Sequence, residues 1–360
     1  MVRVFVIAQS AARAQRIRSV LSLDHEIDTV RLSFDDDEFM SQLSTSNAQI
    51  VALDAACGPA DVHRMTQEIM HKHPVPVVIL AERSADQAGT RSIQALEDGA
   101  LTVLELPPES DNVGASSTGA GELCRNLRLM SEVKVVRRWD STRFESFQRI
   151  MHPAQENAES RPPVHIVAIG ASAGGTQALQ QVFGGIHETF PVPILVVQHI
   201  AKGYITGLTR WLDEQTPLRV RIAENGAIPE AGTVYLAPDD AHLTVDSDRR
   251  ILLLHDAPVN GFRPSIARLF QSVADEYQSN AAAVLLSGMG NDGAAEMRTL
   301  FDHGACTIAQ DKRTSLIHGI PGEAIKLRAA RFILPLPEIG SALETVAGGV
   351  RNAHRISGDA

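Results

Sequence analysis

The chain has 360 residues, of which 44% are hydrophobic and 21% are charged, and its formal net charge is −10 at pH 7. These values are typical of a folded globular protein of about two domains, and they exclude a chain that is disordered throughout. An acidic chain is a poor non-specific ligand for nucleic acids and for anionic membranes. We therefore expect no nucleic acid among the partners.

No apolar run is long enough to span a bilayer, and the apolar start at Met1–Ala8 is too short for a secretory signal. Cys57, Cys124 and Cys306 are too few and too far apart to predict a disulfide framework or a zinc site. We therefore expect a cytoplasmic protein with no membrane insertion, no metal and no cofactor.

The first half alternates short apolar runs with polar segments in which apolar residues recur at helical spacing. This alternation predicts a parallel sheet covered by helices, and five strands in about a hundred residues are typical of a flavodoxin-like domain. The predicted strands are Arg3–Ala8, Ile27–Arg31, Gln49–Asp54, Val75–Ala81 and Leu101–Leu104. The predicted helices are Ala11–Leu21, Asp36–Leu43, Asp61–His71 and Gln87–Leu96.

A composition change predicts the domain boundaries. Pro107-Pro108 ends the first domain, residues 1–107, and the Gly- and Ser-rich stretch Asn112–Gly121 begins a linker over residues 108–163. Within the linker, a helix is predicted at 122–138 because apolar residues form one stripe there. Residues 164–348 form the second domain, and residues 349–360 form a frayed tail.

The second half is predicted as a Rossmann-like, doubly wound domain, because strands again alternate with helices. A hairpin is predicted within His242–Leu254. The predicted strands are His165–Ile169, Pro193–Gln198, Thr233–Ala237 and Ala282–Ser287, and the predicted helices are Thr176–Phe183 and Arg263–Tyr277.

The turn Gly170-Ala171-Ser172-Ala173-Gly174 lies between a predicted strand and a predicted helix. A Gly-x-Ser-x-Gly turn in this place is typical of a serine nucleophile, and free N–H groups at the helix start can stabilise an oxyanion. Two other interpretations stay open. The turn could serve only close packing of helix and strand, or it could bind phosphate, although the dinucleotide fingerprint Gly-x-Gly-x-x-Gly is absent.

A nucleophilic serine needs a base and an orienting acid. His199 directly follows the predicted strand Pro193–Gln198, and Asp292 follows the predicted strand Ala282–Ser287. Reacting groups collect at the carboxyl ends of parallel strands, so Ser172, His199 and Asp292 are predicted to meet at one sheet edge. A satisfied histidine and a surface Asn-Asp-Gly turn are the alternatives for the two partners.

These residues carry a family resemblance. The segments Gly170–Gly175, Gln198-His199, Arg263-Pro264-Ser265 and Ser287–Gly293 resemble those of the CheB family, the chemotaxis protein-glutamate methylesterases and glutamine deamidases. The resemblance runs in order from about Val164 to about Leu343, and the first half resembles the receiver domain of that family.

The resemblance implies roles for the residues of the second domain. Ser172 would attack the methyl ester of a receptor glutamate, His199 would carry the proton, and Asp292 would hold the imidazole. The oxyanion would be bound by the N–H groups of Ala173 and Met289, and water would then release the acyl group. Arg263 would contact the substrate. The implied partners are a methyl-accepting chemotaxis receptor and, through the receiver-like domain, a chemosensory kinase or other pathway protein.

Two positions of the second domain depart from the family pattern. Ala173 stands where a threonine is usual, which is expected to lower the rate without removing the backbone donor. Phe262 stands where a histidine is common, and this change is expected to alter receptor contacts rather than chemistry.

The first domain departs further. A working receiver holds Mg²⁺ with an acidic pair, and magnesium requires several oxygen ligands with carboxylate charge. Ala8-Gln9 replace that pair, Ala81 replaces the hydroxyl residue, and Leu106 replaces the lysine before Pro107. Asp54 remains as a vestigial phospho-acceptor, so we predict a pseudo-receiver that is not phosphorylated.

Two other functions remain as alternatives to the esterase. One is a catalytically weak scaffold or regulator with an esterase-like fold. The other is a nucleotide- or phosphate-binding regulator that uses the turn Gly170–Gly175 as an anion site.

Overall fold

The computed structural model describes residues 1–33, 38–82, 95–96, 98–107, 118–133 and 162–348. The described residues form two compact units. One unit contains those of residues 1–144 together with residues 200–207, and the other contains those of residues 145–199 and 208–360. The sequence predicted two contiguous domains, whereas residues 200–207 belong to the first unit. Hydrophobic patterning predicts helices and strands but does not indicate to which unit a connecting segment belongs.

The first unit has a five-stranded parallel sheet in the order β2-β1-β3-β4-β5. This order is that of the flavodoxin-like fold and confirms the predicted class. Strands β3 and β4 are buried along their whole length, as expected for a sheet covered on both faces. The strands are β1 (Val2–Ile7), β2 (Ile27–Ser33), β3 (Ile50–Asp54), β4 (Val77–Ala81) and β5 (Thr102–Glu105).

The described helices of this unit are α1 (Ala11–Leu21), α2 (Phe39–Ser46), α3 (Pro59–Lys72) and α4 (Thr118–Ser131). Helix α1 has the predicted bounds, and the side chain of Ser10 caps its first turn by accepting from the N–H of Arg13. Most of the predicted helix Gln87–Leu96, the start of the helix predicted from Asp36, most of the linker and the tail at 349–360 lie outside the described residues.

Helix α4 corrects the predicted linker. It spans Thr118–Ser131 instead of 122–138, and it belongs to the first unit, so the boundary at residue 107 is too early. The helix belongs to the first unit because one of its faces is buried: Leu123, Leu127 and Met130 have almost no exposed surface. Arg128 also forms an ion pair with Asp24, with 3.2 Å between Nε and Oδ2. The apolar stripe was visible in the sequence, but the surface that it covers was not.

The second unit has a seven-stranded parallel sheet in the order β14-β13-β12-β6-β7-β9-β8, which confirms a doubly wound α/β domain. Its strands are β6 (Ile166–Ala171), β7 (Ile194–Gln198), β8 (Arg219–Ile222), β9 (Thr233–Leu236), β12 (Ala281–Leu285), β13 (Cys306–Gln310) and β14 (Phe332–Leu334). The predicted hairpin is present as the antiparallel pair β10 (His242–Val245) and β11 (Ile251–Leu254).

The remaining helices are α5 (Gly175–Gly184), α6 (Ile205–Gln215), α7 (Ile266–Tyr277), α8 (Ala294–Asp302), α9 (Ile320–Lys326) and α10 (Leu336–Gly348). Helix α7 begins three residues later than predicted, because Arg263–Ser265 form the loop that precedes it. None of the described helices combines the length and the hydropathy needed to cross a membrane.

Strands β12, β6 and β7 are neighbours in the centre of this sheet, and their register fixes the position of the site. Ala171 at the end of β6 pairs with Gln198 at the end of β7, and Gly170 pairs with Leu285 at the end of β12. The three loops that leave these strands therefore begin side by side at the carboxyl edge of the sheet.

Candidate active site

The turn after β6 presents Ser172 at the start of helix α5. It is closed by the N–H of Gly175, which donates to the carbonyl oxygen of Ser172 at 2.8 Å. Gly174 has φ 76°, a left-handed conformation that glycine adopts without strain. A Cβ there would also lie 2.8 Å from the hydroxyl oxygen of Ser287. The small residues predicted for a nucleophile turn are thus required by backbone conformation and by close packing.

His199 is the first residue after β7, next to the nucleophile turn. Its N–H donates to the carbonyl oxygen of Ala171 at 2.9 Å. The buried Gln198 ties the two segments together, because its side-chain Nε2 donates to the carbonyl oxygens of Ser172 and His199 at 2.8 and 2.9 Å. The sequence indicated Gln198 only as part of the motif Gln198-His199, and its hydrogen bonds to the two carbonyl oxygens were not predicted.

Asp292 lies against the imidazole of His199, with 3.0 Å between its Oδ2 and the histidine Nε2. The Nε2–H direction lies outside hydrogen-bond alignment, so the pair is a close polar contact. The carboxylate is 1% exposed. Its oxygens accept hydrogen bonds from Ser265 Oγ at 2.9 Å and from the N–H groups of Ile266 and Ala267 at 2.7 and 3.1 Å.

These contacts keep Asp292 ionised. Burial by itself raises the pKa of this carboxyl, but the contact with His199 and the backbone N–H groups of Ile266 and Ala267 lower it further than burial raises it. The net pKa of Asp292 lies below its usual value. A negative charge is therefore present beside the imidazole at neutral pH, as the orienting acid of a triad requires.

The hydrogen bond between Ser172 and His199 that the predicted triad requires is not formed in this structure. Within the described part of the chain, His199 Nδ1 is buried without a hydrogen-bond partner, and the hydroxyl of Ser172 makes no hydrogen bond. Because Nε2 is next to Asp292, the predicted proton transfer from Ser172 would go to Nδ1. Hydrogen bonds of this kind are often loose without substrate and tighten when it binds.

The two predicted oxyanion donors have free N–H groups. Among the described residues, no hydrogen bond is donated by the N–H of Ala173 or by that of Met289. The loop that carries Met289 packs directly on the nucleophile, because a Cβ at Gly288 would lie 2.7 Å from the Cβ of Ser172. Their role in binding an oxyanion stays a prediction.

Ser287 and Gln310 support this loop. The N–H of Ser287 donates to Gln310 Oε1 at 2.7 Å. The hydroxyl of Ser287 donates to the carbonyl oxygen of Ala173 at 2.8 Å and accepts from the N–H of Ile317 at 2.9 Å. These hydrogen bonds join residues that are separated by between 23 and 114 positions in the chain, so no local sequence pattern could predict them.

The loop before helix α7 holds two further residues singled out in the sequence. Arg263 donates from Nη1 to the carbonyl oxygen of Asp256 at 2.9 Å, which ties its guanidinium to its own segment, and its substrate contact stays a prediction. Phe262 stacks on the imidazole of His199, with ring centroids 4.1 Å apart and an interplanar angle of 1°. The expectation that Phe262 alters receptor contacts rather than chemistry stays a prediction, although its ring touches the imidazole of His199.

In the first unit, Asp54 ends β3 and is fully buried. Arg13 of helix α1 holds both carboxylate oxygens, with 2.6 Å from Nε to Oδ2 and 2.9 Å from Nη2 to Oδ1. Arg13 also contacts Glu82 at 3.0 Å, and Arg16 pairs with Glu82 as well. The hydrogen bond from Arg16 is the largest influence on Glu82 and lowers its pKa.

This arrangement does not fit Mg²⁺. Ala8 and Gln9 provide no carboxylate, and the guanidinium of Arg13 occupies both oxygens of the one acid that remains. Hard divalent cations need several oxygen ligands, so a metal would have to displace a bidentate ion pair.

Comparison with known proteins identifies relatives of this chain. The family model for CheB methylesterase matches residues 167–343. A protein-glutamate methylesterase/protein-glutamine glutaminase of Nitrosospira multiformis is 37% identical over 344 residues, which cover 95% of this chain and 96% of the relative. One from Geobacter metallireducens is 36% identical over 348 residues, covering 96% and 99%.

A solved structure, the CheB methylesterase catalytic domain of Thermotoga maritima, is 33% identical and covers 51% of this chain and 98% of its own, with a TM-score of 0.49. Sequence identity of this size over nearly the whole length, rather than over the second unit alone, decides the relationship. The chain belongs to the CheB family of protein-glutamate methylesterases and protein-glutamine glutaminases.

Proposed function

We propose that the second unit hydrolyses glutamate methyl esters, and deamidates glutamines, on methyl-accepting chemotaxis receptors. The observation that carries the proposal is the pairing of His199 with the buried, ionised Asp292, at the edge where Ser172 leaves the neighbouring strand. The carboxylate that faces the imidazole is also held by three other donors, which fix its position. The receptor substrate is proposed from the family resemblance. The cytoplasmic location is proposed from that resemblance and from three free thiols, which are typical of a reducing compartment.

The proposed mechanism assigns one step to each group. Ser172 Oγ attacks the ester carbonyl carbon while His199 Nδ1 takes its proton. The negative charge on the carbonyl oxygen is stabilised by the N–H groups of Ala173 and Met289. The imidazolium, opposite Asp292, then protonates the departing methanol, and a water activated by the same base releases glutamate from Ser172. Deamidation follows the same path with ammonia as the leaving group.

The test is methanol release from methylated receptor membranes. The Ser172→Ala variant should release methanol no faster than membranes without enzyme. Ser341→Ala is the matched control, because Ser341 is an exposed serine of helix α10 whose hydroxyl donates only to the carbonyl oxygen of Glu338. Equal release by wild type and Ser172→Ala would contradict the esterase proposal and favour the scaffold.

We further propose that the first unit is a receiver that does not accept a phosphoryl group. Arg13 would have to release both oxygens of Asp54 before a metal could bind them, and among the described residues no group of three or more His, Cys, Asp or Glu side chains could hold one. The esterase would then be constitutively active, or it would be controlled by another signal or by docking of a pathway protein, for which the chemosensory kinase is one candidate. Incubation with acetyl phosphate and Mg²⁺ should leave the intact mass unchanged, and one phosphoryl group per chain at Asp54 would contradict this proposal.

A further inference from the structure

In the described part of the chain, the ring of Phe262 stacks on the imidazole of His199. The two rings are parallel to within 1°, and their centroids are 4.1 Å apart. The apolar ring of Phe262 therefore packs parallel against one face of the imidazole. The stacking therefore fixes the plane of the imidazole, which the contact with Asp292 alone leaves free to tilt.

The backbone holds Phe262 firmly in this place. Val259 and Phe262 exchange two backbone hydrogen bonds of 3.0 and 2.9 Å across a tight turn. The two residues between them, Asn260 and Gly261, have φ 52° and 87°. Positive φ at both central positions defines a type I′ turn, for which Asn-Gly is the preferred pair. The ring is thus presented by a short, well-specified turn and not by a long open loop.

The same segment also holds the acid of the triad. Three residues after Phe262, the hydroxyl of Ser265 and then the N–H groups of Ile266 and Ala267 bind Asp292. One stretch of nine residues, 259–267, therefore sets the plane of the imidazole through Phe262 and the position of the carboxylate beside its Nε2. Among the described residues neither ring nitrogen makes a hydrogen bond, and Nε2 is the nitrogen that lies beside the carboxylate of Asp292.

We propose that Phe262 is a positioning residue for His199, acting through the imidazole and not on the substrate. The aromatic face keeps Nδ1 in the orientation needed for Ser172, and it stabilises the imidazolium that forms when the proton is transferred. The inference rests on the proposed esterase function, because it gives the base of that reaction its orientation.

The test compares Phe262→Leu with Phe262→Tyr in the full-length protein. Phe262→Leu keeps an apolar side chain but removes the ring face, so kcat for methanol release should fall about tenfold while KM stays within about twofold. Phe262→Tyr keeps the ring and should retain the wild-type kcat. Phe332→Leu is the matched control, because it makes the same change at a buried position on strand β14 and should leave kcat unchanged.

A second readout needs no substrate and separates this inference from the proposed function. In NMR spectra of protein labelled at histidine, the ring-proton signals of His199, identified with His199→Gln, should move downfield in Phe262→Leu as the ring current is lost. They should stay in place in Phe262→Tyr and Phe332→Leu. Unchanged His199 signals, or an unchanged kcat, in Phe262→Leu would overturn the inference, as would equal losses in Phe262→Leu and Phe262→Tyr. Activity that survives Ser172→Ala would instead overturn the esterase proposal and leave the ring signals interpretable.

Discussion

The Asp292→Asn variant tests how tightly the buried carboxylate is built into the site. Each oxygen of Asp292 faces one fixed backbone donor, Oδ1 the N–H of Ala267 and Oδ2 the N–H of Ile266. An asparagine has only one acceptor oxygen, so its NH₂ group must face one of these donors in either orientation. A buried donor is then left without an acceptor, which costs about 1–3 kcal/mol of unfolding free energy.

The same substitution removes the charge opposite His199. In an unrelated serine protease the corresponding change lowers kcat by about 10⁴-fold, so we expect a loss of about 10³- to 10⁴-fold here. The folded-state pKa of Asp292 is lowered, so its contribution to stability is fully present above the unfolded value of about 3.9 and is lost as the pH falls from there through the lower folded-state pKa. The stability difference between wild type and Asp292→Asn should therefore be largest near pH 7 and should shrink below about pH 4.

Urea unfolding followed by the fluorescence of the buried Trp211, in a Trp139→Phe background, measures the second unit directly. Asp302→Asn is the matched control, because Asp302 is 53% exposed in an ion pair with Arg298 and its loss should cost less than about 1 kcal/mol. If Asp292→Asn were as stable as this control at pH 7, or kept methanol release within about tenfold of wild type, the account of the carboxylate would be wrong.

Two further variants test the packing of the nucleophile and the receiver-like site. Gly288→Ala places a Cβ 2.7 Å from the Cβ of Ser172, so kcat should fall by about tenfold or more. Gly184→Ala is the control, because its Cβ would have no atom within 4 Å, and kcat should stay unchanged. Equal kcat values for the two variants would contradict the packing argument. Arg13→Ala leaves the buried Asp54 without its cation, and because Arg13 is itself 24% exposed the expected loss is about 2 kcal/mol, less than for a fully buried pair. An unchanged thermal unfolding transition of the first unit would show that the ion pair is not what stabilises Asp54.

Local patterns were sufficient for the elements that carry the triad. The turn at Ser172 and the strand ends before His199 and Asp292 were all predicted, because each is a short apolar run followed by small or polar residues. The edge strand Arg219–Ile222 was not predicted, since four residues with alternating burial carry little signal. Strands Cys306–Gln310 and Phe332–Leu334 were not predicted either.

The supporting contacts of the site are harder to predict because they join distant positions. Ser265 lies 27 residues from Asp292, and Arg13 lies 41 residues from Asp54. Nothing in the local sequence of Phe262 indicates that its ring reaches His199, which follows a different strand. Such contacts depend on how loops meet once the sheet has formed, which hydrophobic periodicity does not encode.

The central claim is that Ser172 and His199 act as one catalytic unit, although no hydrogen bond joins them in the resting structure. The most direct test measures methanol release by Ser172→Ala, by His199→Gln and by the double variant. When two groups act in the same catalytic step, removing one already removes the contribution of both, so the double variant should release methanol no more slowly than the slower single variant. If the two losses instead multiplied in the double variant, the residues would act independently and the catalytic arrangement described for this site would be wrong.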